Sequence, residues 1–411
     1  MQLPEDVRAI IGTIEEHGCE AYAVGGCVRD TLLGKTPYDW DITTSALPMQ
    51  VKSMFKRTVD TGLKHGTVTV MIGKTGYEVT TYRIDGEYKD GRHPENVEFA
   101  VNLLEDLKRR DFTINAMAYS DKNGLVDEFD GQGDLERGIV RCVGNPIERF
   151  TEDALRMMRA IRFSAQLSFE IDKETYKAIE KLSPNIAQVS MERIQVELTK
   201  TIMSDNPEKV ELYYETGIFS VALPDVAAIF EGRYRHNALS MLKHTEKTVI
   251  LRYAALLNSL EPDKAKGVLR SLKLDNHTVD SVTAIVANSK VTIDENEPAI
   301  REALNRYGRE LFDNLIIHDE ALTTAKEEIT GIILPGKHNH IAAVKKMMDD
   351  IIARGDCVTI KDLDINGNDL IEYGMTGSQI GRTLNELLHV VMDNPKLNDK
   401  ATLLAMLEHF N

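Results

Sequence analysis

Ala21-Tyr22-Ala23-Val24-Gly25-Gly26-Cys27-Val28-Arg29-Asp30, followed shortly by Asp39-Trp40-Asp41, decides the reading of this chain. Ala21 to Val24 is apolar and predicts a strand, while Arg29 to Leu33 reads as a helix, so Gly25-Gly26 marks a strand-to-helix turn. Glycine at such a turn lets backbone N–H groups approach a phosphate closely. Asp39 to Thr43 predicts a second strand. Residues two apart on a strand point the same way, which puts the Asp39 and Asp41 carboxylates on one face and Trp40 on the other. Adjacent carboxylates repel each other unless a cation lies between them. Mg²⁺ prefers hard oxygen ligands together with an incoming phosphate. Alone, D-x-D is a common surface pattern and Gly-Gly an ordinary turn. Together they point to a metal–triphosphate site and to nucleotidyl transfer.

Strand and helix signals alternate around this stretch. Pro4 to His17 and Met49 to Phe55 read as helices. Val68, Val70 and Ile72, then Tyr77, Val79 and Thr81, alternate with their neighbours about Gly73-Lys74-Thr75-Gly76, a predicted hairpin. From about Phe150 the strand signals almost vanish. Thr151 to Gln166, Lys173 to Leu182, Ser190 to Met203 and Glu208 to Tyr214 read as helices, punctuated by Pro184, Pro207 and Pro224. The expected fold is therefore α+β, a small mixed-sheet head followed by an elongated all-helical part. Gly34-Lys35-Thr36 and Gly73-Lys74-Thr75 resemble the end of a P-loop, but the leading glycine position holds Arg29 or Val68.

The net charge of −16 over 411 residues disfavours generic nucleic-acid binding, because phosphate backbones repel acidic surfaces. An RNA partner would have to be held by local basic strips. Cys19, Cys27, Cys142 and Cys357 show no C-x-x-C pairing, which fits a reducing cytosol and offers no zinc site. No apolar run approaches a membrane span, and Met1 to Asp6 has no signal-peptide character, so a cytoplasmic protein is expected.

Two further segments carry chemistry. Lys108-Arg109-Arg110-Asp111-Phe112-Thr113-Ile114-Asn115-Ala116 is a basic cluster in which Asp111 or Thr113 would cap a following helix containing Asn115. In Glu152-Asp153-Ala154-Leu155-Arg156-Met157-Met158-Arg159-Ala160-Ile161-Arg162-Phe163, the residues Asp153, Arg156, Arg159 and Arg162 follow helical i, i+3 spacing as a polar stripe. Leu155, Met158 and Ile161 form an apolar one.

With GG-x-V-R-D-x-L-L-G and D-x-D, these segments resemble the motifs of the DNA polymerase β-type nucleotidyltransferase superfamily. More narrowly, the chain resembles the class II tRNA nucleotidyltransferase and bacterial poly(A) polymerase family. The resemblance implies head, neck, body and tail, set here at 1–148, 149–205, 206–300 and 301–411. It implies template-independent addition of C, C and A to tRNA 3′ ends from CTP and ATP, with Asp39 and Asp41 holding two Mg²⁺ ions. It implies that Gly26, Arg29 and Arg110 contact the nucleotide, with Arg159 and Arg162 near the triphosphate. Asp153 and Arg156 are implied as base readers. A carboxylate accepts from the exocyclic amine of cytosine or adenine, and a guanidinium donates to the ring nitrogen. Uracil and guanine oppose both contacts. tRNA would be held by its acceptor and TΨC arm, mostly through phosphates.

Asp127 to Leu135 resembles the family's hinge-like motif, with Gly131-Gln132-Gly133 where paired glycines are usual. Arg83 to Leu104 reads as a flexible loop. Glu78 is either a third metal carboxylate or an ordinary exposed Glu, and His338 and His340 read as a solvent-exposed loop pair. Addition of A alone, poly(A) polymerisation and a catalytically silent RNA-binding protein are the alternative functions. The sequence leaves the oligomeric state open, a homodimer included.

Overall fold

Ala21–Val24 is a strand buried at every residue, and it organises the N-terminal part of the chain. In this computed structural model, which describes residues 1–85, 97–99 and 102–409, the elements up to the ribbon are α1 (Glu5–Glu16), β1 (Ala21–Val24), α2 (Gly26–Leu32), β2 (Ile42–Thr44), α3 (Pro48–Met54), β3 (Thr58–Gly62), β4 (Thr67–Ile72), β5 (Thr75–Thr81), β6 (Arg83–Asp85) and β7 (Val97–Phe99). There follow α4 (Leu103–Lys108), β8 (Ala118–Ser120), β9 (Gly124–Val126), α5 (Gly131–Arg137), α6 (Pro146–Glu152), α7 (Leu155–Leu167), α8 (Lys173–Leu182) and α9 (Met191–Ile202). A seven-stranded sheet runs in the order β3-β4-β5-β2-β1-β8-β9. It is mixed, because β2 pairs with β5 in parallel and its other ladders are antiparallel.

The hairpin forms where alternation places it, with Val68 opposite Val79 and both fully buried. Each such side chain contributes roughly 1.5–3 kcal/mol by leaving water. Its turn is tighter than expected, since Thr75 already pairs with Ile72 and only Gly73-Lys74 remain between the strands. Behind β1 and β8, Tyr22, Val24 and Ala118 pack with Leu103 and Leu107 of α4.

Several expectations need correction. Arg83 pairs across to Phe99 in a two-stranded ribbon, β6 with β7, and Leu103 opens α4, so the flanks of the expected loop are ordered elements. Residues 86–96, the heart of that loop, lie outside the described residues. The helix expected over Thr151 to Gln166 is two helices, broken at Asp153-Ala154. Asp153 has an extended backbone (φ −141°, ψ 104°), and its Oδ1 accepts the N–H of Leu155 at 3.0 Å. A helical period continues through this break, so periodicity alone does not reveal it. The turn after Phe112 is a single 3₁₀ turn, Thr113–Asn115, rather than a helix.

The chain divides into two compact units, Met1–Ala228 and Ile229–Asn411. The second is helical. Ile300, Phe312 and Ile316 of the helix Glu297–Thr330 pack with Ile341, Val344 and Met348 of Pro335–Arg354. Leu387, Leu388 and Val391 of Ser378–Asp393 centre a further cluster. Glu297–Thr330 runs across position 300, so the boundary set there does not fall at a break in the chain. His338 and His340 lie inside Pro335–Arg354, not in a loop, and His338 is paired with Glu320 (2.6 Å) and Glu327 (3.1 Å). Among the described residues no helix is long and apolar enough to cross a membrane.

Candidate active site

Gly25 ends β1 with φ +82°, in the left-handed region that favours glycine. A Cβ there would lie 3.0 Å from Arg110 Nη1, so the small residue also lets that guanidinium approach the turn. The N–H of Gly25 is held by Met117 O at 3.1 Å. The turn opens into a cleft of about 590 Å³ whose lining includes Gly25, Gly26, Arg29, Asp39, Asp41 and Arg110. Arg159, Arg162 and Phe163 of α7 and Lys200 of α9 line it as well.

Asp39 and Asp41 precede β2, whose ladder begins at Ile42, so they occupy its extended lead-in rather than the strand itself. The carbonyl of Asp41 still accepts the Val24 N–H at 3.0 Å, which ties this lead-in to the end of β1. Both residues are exposed to the cleft, and Trp40 is absent from its lining. Desolvation at the cleft wall, then the charges of Asp39 and Glu78, push the Asp41 carboxyl up to about 6 against the pull of Arg110. Glu78 is exposed on β5 and neighbours this position, since Ile42 pairs with Val79. The donor set fits a hard divalent cation, because carboxylates that raise one another's proton affinity are relieved by positive charge. Mg²⁺ commonly takes one or two carboxylates and completes its shell with phosphate and water. Among the described residues no three His, Cys, Asp or Glu side chains converge into a closed metal site.

A polar chain joins three elements across the cleft. Arg29 donates from Nε to Asp30 Oδ1 at 2.8 Å and from Nη1 to Asn115 Oδ1 at 2.6 Å. Asn115 donates to Asp111 Oδ1 at 3.1 Å, and Asp111 Oδ2 accepts from Arg159 at 2.7 and 2.5 Å. Burial works against the Asp111 charge, but Arg159 and the Asn115 hydrogen bond outweigh it and hold the carboxyl well below the usual range. Beneath it, buried Asp106 accepts from Arg109 (2.7 Å), Arg110 (3.3 Å) and Thr43 (3.1 Å). Arg110 and Arg162 each keep a buried Nε without a hydrogen-bond partner, and both line the cleft. The Arg162 Nε nonetheless lies 3.2 Å from Glu197 Oε2 as a buried ion pair, whereas that of Arg110 has no such contact among the described residues. The guanidiniums of Arg162, Arg29 and Arg159 surround the Phe163 ring at 4.2, 5.0 and 5.5 Å. Such contacts are favourable to cations and hold them apart at set spacing. An anion of high charge density is the ligand this array suits.

Of the residues singled out by sequence, Gly26, Arg29, Asp39, Asp41, Arg110, Arg159 and Arg162 share one cleft. Asp153 and Arg156 are not in its lining. Asp153 Oδ2 pairs with Arg193 at 2.7 Å, and Arg156 donates to Glu152 at 2.6 Å and to the carbonyl of Arg109 at 3.1 Å. α7 is buried on nearly every side, Arg156 and Arg162 included, so it is not the two-striped helix expected. Asp111, Asn115, Phe163, Lys35, Tyr38 and Lys200 also line the cleft without having been assigned to it. For Asp111 and Asn115 the signal was their place beside Arg110, read instead as a cap and an interior residue of a following helix.

Three family models match the chain. Residues 21–141 match the poly A polymerase head domain, 168–230 an RNA- and SrmB-binding site of polymerase A, and 243–407 the tRNA nucleotidyltransferase domain 2. The chain is 36% identical to the CCA-adding enzyme of Leuconostoc mesenteroides over 98% of its own length and 96% of that protein. It is 36% identical to that of Geobacillus kaustophilus over 99% and 97%. Among solved structures, the Bacillus stearothermophilus CCA-adding enzyme in complex with CTP superposes with a TM-score of 0.78 at 31% identity, covering 100% of this chain and 98% of that one.

Proposed function

Because the chain belongs to the CCA-adding enzyme family, we propose that it adds C, C and A to tRNA 3′ ends from CTP and ATP. The observation that carries this reading is the single cleft in which two carboxylates face an array of arginines at a glycine turn. In each cycle the RNA 3′-oxygen bonds to the α-phosphorus, the bond to the β-phosphate oxygen breaks, and pyrophosphate leaves. The hydroxyl proton passes to solvent.

Asp39 and Asp41 would hold divalent cations, Mg²⁺ in this reading, whose chemistry is to acidify the 3′-hydroxyl and offset charge on the leaving pyrophosphate. Glu78, beside Asp41, adds negative charge to that wall. The glycine turn at Gly25-Gly26 with Arg29, Arg110, Arg159 and Arg162 binds the triphosphate, a role supported by the unpartnered Nε of Arg110. Asp153 and Arg156 read the base. To do so Asp153 must exchange its Arg193 contact, and Arg156 its Glu152 contact, for the Watson–Crick edge. Selection of C and A thereby competes with an internal ion-pair arrangement, which favours a ligand satisfying both groups at once. The helical parts, read as neck, body and tail, hold the tRNA acceptor and TΨC arm.

The test uses tRNA transcripts ending before CCA, after C and after CC, each supplied with one labelled nucleotide at a time. Expected products are C, C and A respectively, with pyrophosphate released. Addition of A alone to the CC transcript would make it an A-adding enzyme, and long A tails a poly(A) polymerase.

A further inference from the structure

One wall of the cleft carries residues outside the proposed triphosphate contacts. Lys35 and Tyr38 line it, next to Asp39 and Asp41. Tyr38 is fully exposed at 101% relative accessibility, although tyrosine usually keeps most of its large apolar ring out of water. The chain leading into it is restrained. Pro37 has a ring-fixed φ, and the N–H of Lys35 is bonded to Asp30 O at 2.8 Å. Lys35 is exposed and has no ion-pair partner among the described residues, in a chain of net charge −16. The other cleft aromatic, Phe163, is only 6% exposed and has three guanidiniums around its ring. Tyr38 is thus the aromatic side chain with a free face in this cleft, among the described residues.

We propose that Tyr38 and Lys35 form the subsite for the 3′-terminal nucleotide of the RNA primer, Tyr38 stacking on its base and Lys35 contacting its phosphate. The inference rests on the nucleotidyl-transfer reading, in which the reacting 3′-hydroxyl lies at Asp39 and Asp41. The nucleoside that bears this hydroxyl must then sit within a side chain's reach of them. Tyr38 is adjacent to Asp39 in the chain and meets that requirement. An aromatic platform combined with a cation is the usual means of holding single-stranded nucleic acid. Stacking tolerates any base, because every base has a π-face. That tolerance suits a primer whose last base changes with each addition, which a hydrogen-bonded pocket does not.

The experiment measures KM for RNA and for CTP separately, using minihelices that end before CCA, after C and after CC. Tyr38→Ala should raise KM for all three RNAs about tenfold, the scale of one lost base–aromatic stack, with KM for CTP within about twofold of wild type on the same scale. Tyr38→Phe should restore the wild-type value, since the ring and not the hydroxyl is used. Tyr38→Trp should show indole quenching when the CC-ending minihelix is added without nucleotide. Lys35→Ala should lower the salt dependence of RNA binding by about one phosphate contact. Unchanged KM for RNA in Tyr38→Ala overturns the proposal, as does a rise that falls on CTP instead, which would place the incoming base on Tyr38. Wild-type protein that adds no nucleotide to any of the three RNAs would overturn the nucleotidyl-transfer reading itself, a separate outcome.

Discussion

Replacing Asp111 with Asn removes the charge that anchors Arg159 while preserving the shape of the side chain. The two oxygens of Asp111 divide their work. Oδ1 accepts from the Phe112 N–H at 2.8 Å and from Asn115 at 3.1 Å, and Oδ2 accepts both Arg159 bonds at 2.7 and 2.5 Å. An Asn can keep the first pair only by turning its NH₂ towards the guanidinium, donor against donor. Breaking a buried pair costs about 3–5 kcal/mol. The Arg159 side chain keeps 32% exposure against 9% for Asp111, so water recovers part of the loss. The expected destabilisation is therefore about 2–3 kcal/mol. The pH dependence has a definite sign. A carboxyl held below its ordinary value contributes stability that is complete above about pH 4, the unfolded value, and is lost as pH falls through the folded one. Urea unfolding should thus show a constant gap between wild type and Asp111→Asn from pH 8 to 5, closing only in strong acid. With Arg159 no longer fixed beside Phe163, KM for both CTP and ATP should rise about tenfold or more. A gap under about 0.5 kcal/mol with unchanged KM would refute the reasoning. A gap that shrinks between pH 8 and 6 would refute the assignment of the charge to Asp111.

Asp39→Ala and Asp41→Ala should each reduce nucleotide addition by at least about 1000-fold with an unchanged far-ultraviolet circular dichroism spectrum, because both side chains are exposed. Near-normal turnover in either variant would remove it from the metal site. Asp153→Ala should lower CTP and ATP incorporation and relax rejection of UTP and GTP in a four-nucleotide competition, and unchanged discrimination would mean that another element reads the base. In the second unit, burial pushes His318 down to about 4, with Nε2 2.8 Å from Asn258 Oδ1 and Nδ1 buried without a hydrogen-bond partner. Its stabilising effect is full above the unfolded value near 6.5 and declines as pH falls towards 4, by up to about 3 kcal/mol. His318→Gln should flatten that acid slope in urea unfolding, and an unaltered slope would place its origin elsewhere.

What the sequence disclosed and what it concealed follow from the range of the interactions involved. β1, the glycine turn and the hairpin of Val68 and Val79 depend on local periodicity and on one residue type with a special φ, so they are legible in a single chain. The arginines of the cleft were legible for a similar reason, because each lies in a short motif. The break at Asp153 was not. It depends on a cap to Leu155 combined with an ion pair to Arg193, 40 positions away, and nothing in the helical period between Thr151 and Gln166 announces that partner. Arg156 and Arg162 mislead in the same way, since charged residues at helical spacing suggest a solvated face. Their burial depends on Glu152, Glu197 and the carbonyl of Arg109, two of the three brought in by tertiary packing. The consequence reaches function. A base-reading pair read from spacing alone is a rigid stripe on one helix. In the fold the pair is a residue at a helix break and a buried cation, each satisfied internally, so under the proposed reading selecting a base means exchanging contacts that already exist. If Asp153 and Arg156 read the base as proposed, discrimination depends on Arg193 and Glu152 as much as on them.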